Sequence, residues 1–171
     1  MIEGAIAAQE HARDPLAPQT FDRVLAFGAA ALMLAVLSAI ARGHDEWHEV
    51  SPVVWSHIGT ILIGLGLTPV MLLRRRGDSP HRALGWVWCS AMFVTALISL
   101  FVRGINPGHF SLIHLLSIWT MIQVPLIILN ARRHDWPRHR SAVRGMITGA
   151  LLIAGFFTFP FNRLLGSWLF G

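Results

Sequence analysis

Five long apolar runs, bounded by arginine, proline or short polar segments, dominate the pattern of hydrophobic and polar positions along the chain. A helix that crosses a bilayer needs roughly 20 predominantly apolar residues. The runs cover residues 24–41, 52–73, 84–102, 110–129 and 143–159, and none contains Asp, Glu or Lys. The pattern therefore predicts an all-α integral membrane bundle of five transmembrane helices, formed by a single domain over residues 21–171.

Two shorter segments flank the predicted spans. Residues 1–20 carry acidic residues and lack the basic start and apolar stretch of a signal peptide, so we expect a polar cytoplasmic tail. Residues 161–171 are apolar but too short to span. We expect them to lie at the membrane interface, with Trp168 as an anchor.

Composition and charge agree with a membrane location. Hydrophobic residues make up 54% of the chain and charged residues 13%, about half the charged share of a typical soluble domain. All 14 basic residues are arginine, and the connections on one side of the predicted bundle hold 11 of them against three on the other. The positive-inside rule then places the N-terminus in the cytoplasm and the C-terminus in the periplasm, across a bacterial inner membrane. The net charge of +5 would meet lipid headgroups rather than nucleic acid.

A spacing of 57 residues relates two parts of the chain. The matches are His57 with His114, Arg75 with Arg132, Arg76 with Arg133, Asp78 with Asp135, Pro80 with Pro137 and, after one inserted residue, His81-Arg82 with His139-Arg140. The matches predict a duplicated two-helix hairpin, with repeats over about residues 53–104 and 110–162. The first helix is then an addition to the duplicated unit.

The repeat arranges four histidines as two pairs at two depths. His57 and His114 lie near the outer ends of their predicted helices, and His81 and His139 lie at the inner starts of theirs. The 18 residues from His57 to Arg75 span ~27 Å of helix, so the two levels are roughly 20–25 Å apart. Ionisable residues within membranes are functional candidates by default.

Two facing histidines on separate helices can supply both axial bonds to a haem iron. We therefore predict haem b between His57 and His114, and a second between His81 and His139. Arg82 and Arg140 would meet the propionates, and Gly64, on the His57 face, would let the macrocycle approach. A second interpretation stays open, in which the histidines only hydrogen-bond neighbouring helices or, at the inner level, cap helix ends and meet lipid headgroups.

The first outer loop contains a weaker candidate. His44 and His48 are four residues apart and would share one face of an α-helical turn, where they could hold a metal ion. A solvated loop is the competing interpretation. No phosphate-binding loop, dinucleotide-binding motif or nucleophile elbow is present, so the sequence indicates none of these enzyme classes.

Several motifs resemble a known family. Residues 79–88 (SPHRALGWVW), 111–117 (SLIHLLS), 139–140 (HR) and 155–159 (GFFTF) are similar to bacterial membrane proteins grouped as domain of unknown function 2306. The resemblance covers residues 50–171 and implies a multi-pass inner-membrane protein without specifying an activity. Four helices with two histidine pairs also resemble, in architecture only, the two-haem cytochromes b.

Three functions follow as hypotheses. The first is a transmembrane electron-transfer protein with one or two b-type haems, whose spectrum would show a Soret band. The second is a non-catalytic assembly or accessory subunit, which would bind other membrane protein subunits as well as lipids. The third is a small transporter built on the repeats, against which the lack of an intramembrane carboxylate argues.

Overall fold

The computed structural model describes residues 16–102 and 112–171, and the regular structure within these two ranges is helical throughout. The long helices are α1 (Thr20–Arg42), α2 (Pro52–Leu73), α3 (Ser79–Ser99) and α4 (Leu112–Arg132). A 3-10 helix, His44–Glu49, joins α1 to α2. Helix α5 (Trp136–Met146) continues into a π-helix, Ile147–Ile153, and a short α-helical turn, Ala154–Phe156. The last helix is α6 (Leu164–Phe170).

Four helices in the described ranges are long and apolar enough to cross a membrane: Thr20–Arg42, Pro52–Leu73, Ser79–Ser99 and Ile113–Arg132. They coincide with the first four predicted spans, which confirms the helical membrane-type architecture. The predicted count of five is not confirmed. The fifth predicted span, residues 143–159, overlaps the end of α5 and the whole π-helix. The wider turns of the π-helix interrupt the regular α-helix that begins at Trp136.

Asp side chains fix the starts of α3 and α5. An Asp78 carboxylate oxygen accepts a hydrogen bond from the His81 backbone N–H (2.7 Å), and Asp135 accepts one from the Arg138 N–H (3.2 Å). Each cap satisfies a donor that the first helical turn leaves without a partner. Both helices therefore begin earlier than the apolar runs predicted, and His81 and His139 lie inside their first turns.

Each of α1 to α4 packs against the next helix in the chain, and the π-helix and α6 pack against α1, so the bundle closes on itself. Polar side chains point inward: Thr68, Thr95 and Ser117 are buried. Large apolar side chains point outward, and Phe27 and Leu34 are both about two-thirds exposed. An apolar exterior, with the polar side chains buried within a mainly apolar core, is what a lipid environment favours, because lipid has no hydrogen-bonding groups to satisfy exposed polar atoms.

The C-terminal segment corrects one expectation. We expected Trp168 to anchor the tail at the membrane interface, but its ring is buried and its Nε1 donates a hydrogen bond to Glu46 (2.9 Å). Helix α6 packs along α1, and the Arg42 guanidinium donates to the Leu169 carbonyl (2.5 Å). The tail is thus part of the bundle's packing, which an apolar run of this length could not reveal.

Gly43 gives this packing a sharp test. A Cβ atom added at Gly43 would lie 2.1 Å from the Trp168 ring, whereas one added at Gly59 would meet nothing within 4 Å. We expect Gly43→Ala to displace α6 and lower the free energy of unfolding by about 1–3 kcal/mol. Thermal unfolding followed by circular dichroism in detergent measures the effect. The control, Gly59→Ala, lies in a helix and should leave the melting temperature unchanged or raise it; equal effects of the two substitutions would contradict the proposed contact.

Candidate functional site

A buried carboxylate organises the arginine-rich end of the bundle, the end at which α1, α3 and α5 begin. Asp22, in the first turn of α1, has no exposed surface. One of its oxygens accepts a hydrogen bond from Arg144 Nε (2.8 Å), and the other accepts from Arg76 Nη2 (2.5 Å) and from the Gln19 backbone N–H (2.8 Å). A buried charge is tolerable only when it is paired in this way.

The two arginines extend the network in different directions. Arg76, just after α2, also donates to the Ala17 carbonyl (2.8 Å). Arg144, on α5, also donates to the Gln19 side-chain oxygen (2.8 Å). The cluster therefore ties the segment before α1, the α2–α3 turn and α5 together at one point.

The predicted inner pair of histidines lies beside this cluster. His81 on α3 and His139 on α5 are near enough for their charges to interact, and the charge of Arg76 acts on both. Helix packing thus brings together two side chains that are 58 residues apart in the sequence. Their direct coordination of any ligand stays a prediction.

Hydrogen bonding fixes the protonation of His139. Its Nδ1 lies 3.0 Å from the Ile127 carbonyl oxygen of α4. A carbonyl can only accept, so Nδ1 carries the proton, and in the neutral ring the Nε2 lone pair is available. Burial lowers the pKa of His139 below its ordinary value of 6.5, and the nearby Arg76 and Arg140 charges lower it further. The ring is therefore held in the neutral form that ligates metals.

His81 has the opposite condition. Its Nδ1 is buried and has no hydrogen-bond partner among the described residues. A buried nitrogen without a partner costs free energy. A ligand or a water molecule at this position would remove the cost, which makes the His81–His139 region the best candidate site at this end.

The two arginines predicted to meet propionates differ in position. Arg82 donates from Nη1 to the Gly77 carbonyl (2.7 Å) and so closes the α2–α3 turn, where Gly77 has a φ of 87°. The charges of Arg76, Arg144 and Asp22 act electrostatically on Arg140. Of these two arginines, only Arg140 therefore interacts with the cluster around Asp22.

The outer histidines lie in a different setting. His57 Nδ1 lies 3.0 Å from the Ser99 hydroxyl, and that hydroxyl donates to the Thr95 carbonyl (2.7 Å). Ser99 has one proton to donate, so it accepts from His57 Nδ1–H, and Nε2 keeps its lone pair. This contact agrees with the second interpretation, in which a histidine hydrogen-bonds a neighbouring helix. It does not use Nε2, the nitrogen that would bind a metal. His114 is buried on α4.

The His57 contact belongs to a ladder between α2 and α3. Thr95 donates to Thr60 (2.8 Å), and Trp88 Nε1 donates to Thr68 (2.9 Å). Between these rungs, Gly64 faces Met92, whose sulfur would lie 3.1 Å from an added Cβ. The close approach at Gly64 is therefore filled by Met92, and the glycine serves helix packing here rather than the approach of a macrocycle.

The structure does not have the geometry that was assumed for a metal site at His44 and His48. His44 and His48 lie on a 3-10 helix, in which residues four apart are displaced by about 120° around the axis. Both side chains are mostly exposed, and each lies beside its own acidic neighbour, Asp45 and Glu49 respectively. The prediction of a shared metal site rested on an α-helical turn that the structure does not have.

Comparison with family models, curated proteins and solved structures gives no match for this chain.

Sequence reasoning missed the centre of the arginine-rich end. The apolar pattern assigns no role to Asp22, and Arg76 and Arg144 enter the sequence analysis as two of the 11 arginines that set the orientation. One signal was available: Asp22 is a lone acid next to an apolar run, at the end predicted to hold most of the arginines. It could indicate that the carboxylate needs a partner, but not which arginine supplies it.

Replacing Asp22 tests the cluster. Asp22→Asn would leave the Arg76 and Arg144 guanidiniums without their shared counter-charge, and breaking a buried ion pair on one side costs about 3–5 kcal/mol. We expect a clearly lower melting temperature in detergent. Asp45→Asn, at a side chain that is 86% exposed, is the matched control and should change little. A melting temperature of Asp22→Asn equal to that of the control would show that the cluster does not stabilise the fold.

His139 should make stability depend on pH. Because burial lowers its pKa in the fold, the unfolded chain binds the proton more readily, and stability is lost as the pH falls through the ordinary value of 6.5. Between about pH 8 and about pH 5, we expect the melting temperature to fall less in His139→Gln than in the wild type. His134→Gln, at an exposed position, should keep the wild-type profile. Unchanged pH dependence in His139→Gln would contradict this prediction.

Proposed function

We propose that this protein is a small cytochrome of the bacterial inner membrane, which binds a b-type haem between His81 and His139 and carries electrons. The observation that best supports the proposal is the electrostatic interaction between these two half-buried imidazoles, from separate helices, beside the arginine-rich cluster. Bound there, haem would supply one-electron chemistry. The proposal goes beyond the architecture itself, which is compatible with an integral membrane protein of any function.

The residues at the inner pair fit this cofactor. His139 has its Nδ1–H held by the Ile127 carbonyl, the arrangement that orients a ligating imidazole and makes its Nε2 more basic. His81 has a buried Nδ1 that lacks a partner among the described residues, and a group bound at that atom would satisfy it.

Arg140 would serve the cofactor's carboxylates. Arg140 acts electrostatically on His139, and its guanidinium would pair with a propionate at the edge of the site, whereas the Arg76 guanidinium already donates to Asp22 and to the Ala17 carbonyl. The positive charge of both arginines also favours the reduced over the oxidised state of a bound iron, which would raise its reduction potential. On the positive-inside rule, this end faces the cytoplasm.

The outer pair is a weaker candidate for a second haem. His57 keeps its Nε2 lone pair, but its hydrogen bond to Ser99 already gives it a role in joining α2 to α3. We therefore place the first haem at the inner pair and keep the second, between His57 and His114, as a prediction.

The test is the absorption spectrum of protein purified in detergent from haem-replete cells. We expect a Soret band in the wild type that is lost in His81→Ala and in His139→Ala, with a pyridine haemochrome spectrum of b type. His134→Ala removes an exposed histidine near the same end and should retain the band. The melting temperature of each variant establishes that loss of the band is not loss of the fold.

Three results would count against the assignment. A colourless wild type would end the proposal of haem binding altogether. A band that survives both inner substitutions but disappears in His57→Ala and His114→Ala would move the haem to the outer pair. A band equally weakened by His134→Ala would indicate adventitious binding to surface histidines.

A further inference from the structure

An apolar groove runs along the outside of the bundle between α3 and α4. Its volume is about 450 Å³, and its walls include Cys89, Ser90 and Phe93 of α3 and Pro125 and Ile128 of α4. Proline lacks a backbone N–H and its ring clashes with the preceding turn, so Pro125 disturbs α4 where the groove forms. The groove opens toward the surroundings of the helices, where a membrane would place lipid chains.

One end of the groove carries a positive charge. Arg132, the last residue of α4, is the charged residue of the lining, and its side chain is exposed. None of the acidic side chains that the structure describes pairs with it; the nearest in sequence, Asp135, pairs with Arg138. The groove therefore combines a long apolar wall with a guanidinium that has no protein counter-charge in the described ranges.

We propose that this groove binds one acyl chain of an anionic phospholipid, with the lipid phosphate held by Arg132. The wall from Val124 to Arg132 spans eight residues of helix, ~12 Å, which is most of the ~15 Å thickness of one hydrocarbon leaflet. An acyl chain fills this length with the phosphate at the guanidinium. Arginine can bind a phosphate through two parallel hydrogen bonds, and basic sites beside transmembrane helices recognise anionic headgroups.

The charged end favours an anionic lipid over an apolar protein partner. A phosphate supplies the counter-charge that the Arg132 guanidinium lacks among the described residues, whereas an apolar helix would not. The site is also separate from the histidine pairs, because no histidine lines it. It can therefore be tested on protein with or without bound pigment.

The experiment is a lipid titration followed by native mass spectrometry in detergent. Phosphatidylglycerol and phosphatidylcholine with identical acyl chains are compared on the wild type, Arg132→Gln and Arg133→Gln. We expect the wild type to prefer phosphatidylglycerol, and Arg132→Gln to lose about tenfold in phosphatidylglycerol affinity, since hydrogen bonds to a charged group carry that much. Arg133→Gln, the exposed neighbour outside the groove, should lose far less.

A second pair of variants tests the apolar wall. Ser90→Phe places a ring in the groove and should weaken binding of both lipids, whereas Val87→Phe, exposed on α3 outside the groove, should not. Equal affinities for the two lipids in the wild type would overturn the proposal. So would equal losses in Arg132→Gln and Arg133→Gln, which would indicate diffuse attraction by surface charge, or unchanged binding in Ser90→Phe.

Discussion

The Asp22 carboxylate, shared between Arg76 and Arg144, is the interaction on which the arginine-rich end depends. Its partners come from positions 54 and 122 residues further along the chain, so one side chain joins the start of α1 to the α2–α3 turn and to α5. The carboxylate has no exposed surface, and removing either partner would leave part of its charge uncompensated. Arg76 also acts electrostatically on the His81 and His139 rings, which links the two histidines to this cluster.

The rest of the bundle depends on weaker but more numerous contacts. The ladder between α2 and α3 joins His57 to Ser99, Thr60 to Thr95 and Thr68 to Trp88. The two position numbers of each rung add up to nearly the same value, as the register of an antiparallel helix pair requires. Such bonds contribute about 0.6 kcal/mol each in membrane proteins, so their value lies more in fixing register than in total stability. The polar side chains of this ladder thus specify one alignment of two apolar helices.

The sequence predicted the four long helices well, because each combines an apolar run with arginines or a proline at its boundary. The Asp caps at Asp78 and Asp135 show why the starts of α3 and α5 were placed too late: a capped first turn can be polar and still helical. Contacts between residues far apart in the sequence could not be predicted. Nothing in the apolar pattern of residues 161–171 distinguishes a ring lying at a membrane surface from the buried Trp168 ring.

For the histidines, too, features of the local sequence could be predicted, whereas contacts with residues on other helices could not. Their pairing at two depths came from the spacing of 57 residues, and packing does bring His81 near His139. The partners that decide their chemistry, the Ser99 hydroxyl and the Ile127 carbonyl, lie on other helices, and a backbone carbonyl leaves no mark in the side-chain pattern. The π-helix over Ile147–Ile153 was likewise not foreseen, since its residues suit an ordinary α-helix equally well.

The packing of α6 on α1 affects the order of events during synthesis. Arg42 and Leu169, which are joined by a hydrogen bond, are 127 residues apart, so α1 leaves the ribosome long before its covering helix exists. At elongation rates of about 5–20 residues per second, this interval lasts roughly 6–25 seconds. For nearly all of it, Gly43 has no tryptophan ring against it, and Asp22 lacks its Arg144 partner until residue 144 has been made. The contacts that α1 makes through Asp22 and Arg42 are therefore completed only when the C-terminal part of the chain has been made.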